Sequence, residues 1–247
     1  MEWAGKQPGV KALHCLDAPE TGTQVSLIET DRALLVAPRG TPLTLARTPG
    51  AALQWKDLAN DLNAWPVRNY DGSAYVHAGF KKAADGVWSQ LQPYLEQARA
   101  SHKAIHFAGH SLGAAVAIHL ADRMHHEMQS LPETLTTLGA PDAGWSKERR
   151  HLQEIGLEER TLRFVNNLDP VPGAVPLGKP LGQTVYFDHR GEARLGEGRR
   201  TLDRLQGLGQ AICRFDFNPL QDHLPLEYRR LIGKKANAAV LDGLGVT

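Results

Sequence analysis

Cysteine is nearly absent. The 247 residues hold two, Cys15 and Cys213, near opposite ends, and neither has the spacing of a zinc site or a redox pair. A bridge between them would close a long loop, but the expectation is two free thiols, with stability resting on an apolar core. Charge bias is also absent. With 28 Lys and Arg against 27 Asp and Glu, the net charge is +1, which gives no electrostatic case for nucleic acid or an anionic membrane surface. No apolar run approaches transmembrane length. Residues Met1–Lys6 lack the apolar core of a secretory signal, so the expectation is a cytoplasmic protein, or one exported without a cleaved signal. Serine is scarce too, with seven in the chain.

What is present is enough for a core. Apolar residues make up 42% of the composition, and α/β domains often reach this length undivided. Gln24–Glu29 alternates like a half-buried strand, and Ala33–Ala37 reads as a more buried one. Residues 53–63 read as a helix. Val87, Leu91 and Leu95 fall four apart inside a helical pattern from about Lys82 to Ala100. Thr134–Leu138, Thr161–Val165 and Thr184–Phe187 are further strands, with helical stretches around 145–156 and from Leu224 to Gly233. Residues 1–22 read as an N-terminal arm or short helix, 190–218 resist assignment, and the end reads as loosely organised. Strands and helices alternate without a repeat, linker or composition break. The expected architecture is a single α/β domain over 1–247, with a mostly parallel or mixed central sheet flanked by helices.

The densest chemical signal is Gly109-His110-Ser111-Leu112-Gly113. It sits between an apolar strand, Ile105–Ala108, and an alanine-rich helix from Leu112 to about Met128. A strand that turns this sharply into a helix must be nearly side-chain-free two residues before and after the serine. The turn projects the Ser111 hydroxyl and leaves the Leu112 N–H at a helix start, free to meet developing negative charge. From composition alone such a pattern arises roughly 0.07 times per chain, so its strand-to-helix setting gives it weight. A nucleophilic serine needs a base and an orienting carboxylate, in the order Ser, Asp or Glu, His on this kind of turn. Asp169 follows a strand in a proline-rich turn, and His223 lies in the loop before the last helix. His189 also satisfies the order, but it sits between Asp188 and Arg190 beside a hairpin, where surface exposure is expected. Arg39 and His77 read as loop organisers, and His110 as part of the pocket wall. His125-His126-Glu127 lacks the His-Glu-x-x-His spacing, so no metal or cofactor is expected. The run through Arg199, Arg200 and Arg204 reads as solvated surface.

Five blocks, in order, resemble the class 3 (fungal-type) lipase family of α/β-hydrolases. They are Val36–Thr41, Val76–Phe80, Gly109–Ala114, Val165–Pro172 and Asp222–Leu224. Leu138–Pro141 resembles the family's strand end after the elbow helix. The resemblance implies Ser111 as nucleophile, Asp169 as acid and His223 as base. It also implies an oxyanion hole at Thr41 and the Leu112 N–H, and a lid within residues 42–60. Two features depart from the family pattern: Pro38 stands where an aromatic residue is usual, and the interval from Thr41 to Asp61-Leu62 is longer. Leu43 and Leu45, with Ala51, Ala52, Leu53 and Trp55, are candidates for an apolar lid over the Ser111 pocket, or for core. The implied activity is carboxylester hydrolysis on lipid or other acyl esters, with transient contact at a lipid interface. The alternatives are a phospholipase A1 or lysophospholipase (a bacterial antagonism effector among them) and a non-catalytic lipid-binding protein on the same fold.

Overall fold

Parallel strands deliver their C-terminal ends to one edge of a twisted sheet, and that edge carries the site. The structure is a computed structural model, which describes residues 7–40, 65–196 and 219–245. Among them run β1 (Ala12–Ala18), β2 (Thr23–Glu29), β3 (Ala33–Pro38), β4 (Pro66–Arg68), β5 (Tyr75–His77), β6 (Ala104–His110), β7 (Thr134–Leu138), β8 (Thr161–Asn166), β9 (Gln183–Phe187) and β10 (Ala193–Leu195). The helices are α1 (Ala78–Ala100), α2 (Leu112–Met128), α3 (Ser146–Glu154), α4 (Pro219–Asp222), α5 (Pro225–Ile232) and α6 (Ala238–Asp242).

Eight of the strands form one mixed sheet in the order β1-β2-β3-β6-β7-β8-β9-β10, while β4 and β5 pair separately. β1, β2 and β3 pair antiparallel, β3 through β9 are parallel neighbours, and β10 returns antiparallel on β9. The fold is the expected α/β one.

Alternation along the strands decides where the helices lie. On β7, Leu135 and Leu138 are three apart and so point to opposite faces. Leu135 joins Phe107, Val36 and Leu27 in a cluster filled by α1 and α2. Leu138 and its register partner Phe164 belong to the opposite cluster with Val185, Phe187, Tyr228, Leu231 and Leu241, closed by α5 and α6. On α1 the buried residues Phe80, Ala84, Val87, Leu91, Leu95 and Ala98 repeat at three and four, as an amphipathic helix requires. α2 buries Ala114, Ala115, Ala117 and Ala121, and these small side chains let it lie close against the sheet. Truncating one such core leucine, Leu91→Ala, typically costs about 2–5 kcal/mol.

Three expectations are corrected. Residues 12–18 are neither arm nor helix but the edge strand β1, which buries Leu16 and Ala18. The long helix starts at Ala78 rather than near Lys82, because His77 ends β5 and serves as its N-cap. The end is ordered: a 3-10 turn at Lys235–Asn237 leads into α6, and Leu241 and Asn237 are fully buried. The expected helix at 53–63, the lid region 42–60, Cys213, Arg199, Arg200 and Arg204 lie outside the described residues. Cys15 is a free, exposed thiol. Among the described residues no helix is long and apolar enough to cross a membrane.

Candidate active site

β6 runs apolar through Ile105 and Phe107, then turns at Ser111 straight into α2. Ser111 holds φ 57° and ψ −132°, a conformation that costs a non-glycine residue about 1–3 kcal/mol and persists only where its surroundings enforce it. Two glycines make the turn sterically feasible. A Cβ on Gly109 would lie 2.5 Å from the backbone of Ala114, and one on Gly113 would lie 2.2 Å from the Pro38 carbonyl oxygen. The Ser111 N–H donates to the Leu138 carbonyl at 2.9 Å, which anchors the elbow to β7.

The turn aims Ser111 Oγ at His223. The distance from Oγ to His223 Nε2 is 2.8 Å, and His223 Nδ1 lies 3.0 and 2.9 Å from the two carboxylate oxygens of Asp169. A carboxylate only accepts, so Nδ1 carries the proton and Nε2 of the neutral ring presents its lone pair to the serine hydroxyl. All three residues have no measurable exposure. The sequence order Ser111, Asp169, His223 thus closes in space into one hydrogen-bonded series. His189, the rival, lies instead in the turn between β9 and β10, and is half-buried rather than exposed.

Asp169 is held from several sides. β8 ends at Asn166, whose carbonyl accepts from the Asp169 N–H at 3.2 Å, and Asp169 Oδ1 accepts the Val171 N–H at 2.9 Å. Tyr228 on α5 donates its hydroxyl to Asp169 Oδ2 at 2.6 Å and accepts the Asn166 N–H at 3.0 Å. Burial and the adjacent Asp169 charge push the phenol well above its ordinary pKa, so it stays a donor. Gly139 directly follows β7 at φ 56°, where a Cβ would fall 2.6 Å from Asp169 Oδ2 and 3.0 Å from both His223 Nδ1 and Tyr228 OH.

Asp222 ties the loop that carries His223 to the loop that carries Asp169. Its Oδ2 accepts the Leu168 N–H at 3.1 Å, and its carbonyl accepts from Asn166 Nδ2 at 3.0 Å. Burial raises its pKa to about 6.

Of the remaining site candidates, Leu112 opens α2, so its N–H is among the four that have no acceptor within the helix. Thr41, Leu43 and Leu45 lie outside the described residues. Gly40, just before Thr41, packs on the elbow: a Cβ there would lie only 2.6 Å from the His110 carbonyl oxygen and 3.4 Å from Ser111 Cβ. His110 turns its ring to the backbone of His223. Arg39 organises its loop as expected, with Nη1 2.5 Å from Gln24 Oε1. His77 is buried, stacks on Phe80 at 4.0 Å and donates its N–H to the Ala143 carbonyl.

Sequence reasoning did not single out Tyr228, Gly139 or Asp222 as site residues. Asp222 and Gly139 stand inside the blocks that resemble the family, whereas Tyr228 is five residues past His223 and carries no signal of its own.

A mixed sheet whose central strands are parallel, with a strained serine at a strand-to-helix elbow facing a histidine and a buried aspartate beyond the strands' C-terminal ends, defines an α/β-hydrolase fold. Within that class, residues 39–179 match the lipase (class 3) family, more than half of the 247-residue chain, and the chain belongs to it. No curated protein sequence matches the chain. Among solved structures, a triacylglycerol lipase whose catalytic centre is formed by a serine protease triad aligns with a TM-score of 0.62 at 20% identity, covering 76% of this chain and 70% of that one. The Rhizomucor miehei triacylglyceride lipase gives 0.60 at 20%, with 72% and 67% covered. Lipase II from Rhizopus niveus gives 0.58 at 22%, with 72% and 67% covered. At these identities the likeness shows the fold. The chain spans 56% and 57% of the chains in two Rhizomucor miehei lipase propeptide complexes.

Proposed function

We propose that the chain is a serine carboxylester hydrolase of lipase type, one α/β-hydrolase domain cleaving acyl esters through an acyl-enzyme. The observation that carries this reading is the buried series Ser111 Oγ to His223 Nε2 at 2.8 Å and His223 Nδ1 to Asp169 at 2.9 Å. His223 takes the Ser111 proton as Oγ attacks the ester carbonyl carbon, and passes it to the alcohol oxygen as the C–O bond breaks. Water then gives its proton to His223 and attacks the acyl carbon, and Ser111 recovers its proton as the acid departs. Asp169 holds the ring in the productive tautomer and stabilises its charged form.

The tetrahedral oxyanion is assigned to the Leu112 N–H and to Thr41. In support, Gly40 brings the chain entering Thr41 against Ser111. One such donor is worth on the order of 3 kcal/mol of transition-state stabilisation. The substrate is a lipid acyl ester met at an interface.

Ser111→Ala should abolish hydrolysis of p-nitrophenyl butyrate with the fold intact; retained turnover ends the proposal. A panel of triglycerides, phospholipids and soluble esters, run below and above aggregation, then assigns the headgroup. A rate jump at aggregation supports interfacial action, and fatty-acid release from phospholipid in preference to tributyrin reassigns the enzyme as a phospholipase.

A further inference from the structure

β6 ends on His110, the residue directly before Ser111, and its ring turns towards the base. His110 Nε2 lies 2.5 Å from the backbone oxygen of His223. The two imidazole centroids are 4.6 Å apart, and the Tyr228 ring meets His110 edge-on at 6.0 Å. A carbonyl oxygen only accepts, so Nε2 is the protonated nitrogen of His110. The other ties of this loop run to the acid side, through Asn166 Nδ2 and the Leu168 N–H to Asp222. The His110 contact joins the base's own backbone to the strand that carries the nucleophile.

We infer that His110 is a positioning residue for the base, fixing the His223 backbone against the nucleophile strand so that Nε2 of His223 stays aligned on Ser111 Oγ. The inference rests on the proposed triad. Asp169 holds one end of the imidazole, but a ring held only at Nδ1 still swings with its backbone. A hold on the carbonyl of the same residue removes that swing. The geometry matters because a displacement of about 1 Å in a catalytic group can cost on the order of a hundredfold in rate.

The chemistry of the residue suits the place. Burial, and then the neighbouring His223, lower the His110 pKa to about 4. The ring therefore stays neutral beside an imidazole that becomes positive during each proton transfer. A lysine or arginine here would offer the same hydrogen bond but would oppose that charge.

The test is a pair of variants assayed on a soluble p-nitrophenyl ester. His110→Phe keeps the ring bulk and removes the donor; His110→Gln keeps a neutral donor. The expected result is that His110→Phe lowers kcat about tenfold with KM changed by less than about twofold, while His110→Gln recovers most of kcat. Circular dichroism and Tm check that each variant is folded. If His110→Phe does not fold, His110→Asn replaces it, since its shorter amide cannot span the gap. Wild-type kcat in the donor-free variant overturns the inference. So does a raised KM at unchanged kcat, which would make the ring part of the substrate wall. Failure of the triad reading is seen separately, as turnover that survives in Ser111→Ala or His223→Ala.

Discussion

The Tyr228 hydroxyl donates to Asp169 Oδ2 at 2.6 Å, although the two residues are 59 positions apart. The same phenol oxygen accepts the buried Asn166 N–H at 3.0 Å, so one side chain locks α5, the helix that follows His223, to the end of β8, which leads into Asp169. Tyr228→Phe removes a donor to a buried carboxylate and strands that N–H. The expected outcome is a loss of about 1–2 kcal/mol in unfolding free energy, with kcat down about tenfold at constant KM. Urea unfolding and steady-state kinetics read the two effects.

Asp169→Asn preserves the volume of the side chain but lets its amide donate to His223 Nδ1. That favours the tautomer whose Nε2–H faces Ser111 and has no lone pair to take the serine proton. On the proposed mechanism kcat falls on the order of ten-thousandfold with the fold retained. A loss of tenfold or less would show that His223 does not need this partner.

Gly139→Ala probes the same pair from the position directly after β7. The new methyl would stand 2.6 Å from Asp169 Oδ2 and 3.0 Å from His223 Nδ1, at a backbone φ of 56°. Stability should fall by about 1–2 kcal/mol from the left-handed conformation alone, and activity by more than tenfold because carboxylate and imidazole are forced apart. Differential scanning calorimetry and p-nitrophenyl ester turnover measure the two.

Away from the site, α2, α3 and the turn at Asn69–Ala74 meet around a buried carboxylate. Glu148 on α3 is buried, with Asp122 and Asp71 nearby and His151 bridging those two aspartates at 2.8 and 3.2 Å. Burial first, then Asp122, raises the Glu148 pKa from 4.5 to about 8. The sign follows from linkage: the folded state holds this proton more tightly, so the contribution is complete below about pH 4.5, declines as pH rises and is gone above about pH 8. Glu148→Gln cannot ionise in either state. Its stability should therefore gain on the wild type across that window and run parallel to it above. Urea unfolding at several pH values from about 4 to 9 tests this; a difference between the proteins that stays constant with pH contradicts it.

Much of this was legible in the residues, for physical reasons. The elbow announced itself because its steric demand can only be met by glycine at 109 and 113, and α1 because its buried residues keep a helical period. Asp169 and His223 could be proposed as partners of Ser111 because both stand just outside regular elements, where side chains can be presented. β1 was not found: as an edge strand pairing only with β2 it buries just Leu16 and Ala18, and it contains no β-branched residue. β10 has three residues on the opposite edge, too few for a period. The directions of His110 and Tyr228 were illegible for another reason. Each contact joins segments far apart in sequence, and only the sheet order brings them together.

On the proposed function Ser111 is a nucleophile activated by His223. The most direct measurement is labelling of the folded protein with an active-site fluorophosphonate, mapped by peptide mass spectrometry. The expected result is one adduct per chain, on Ser111, absent in Ser111→Ala and strongly slowed in His223→Ala. An unlabelled protein, a label on another residue, or wild-type labelling rates in His223→Ala would contradict it.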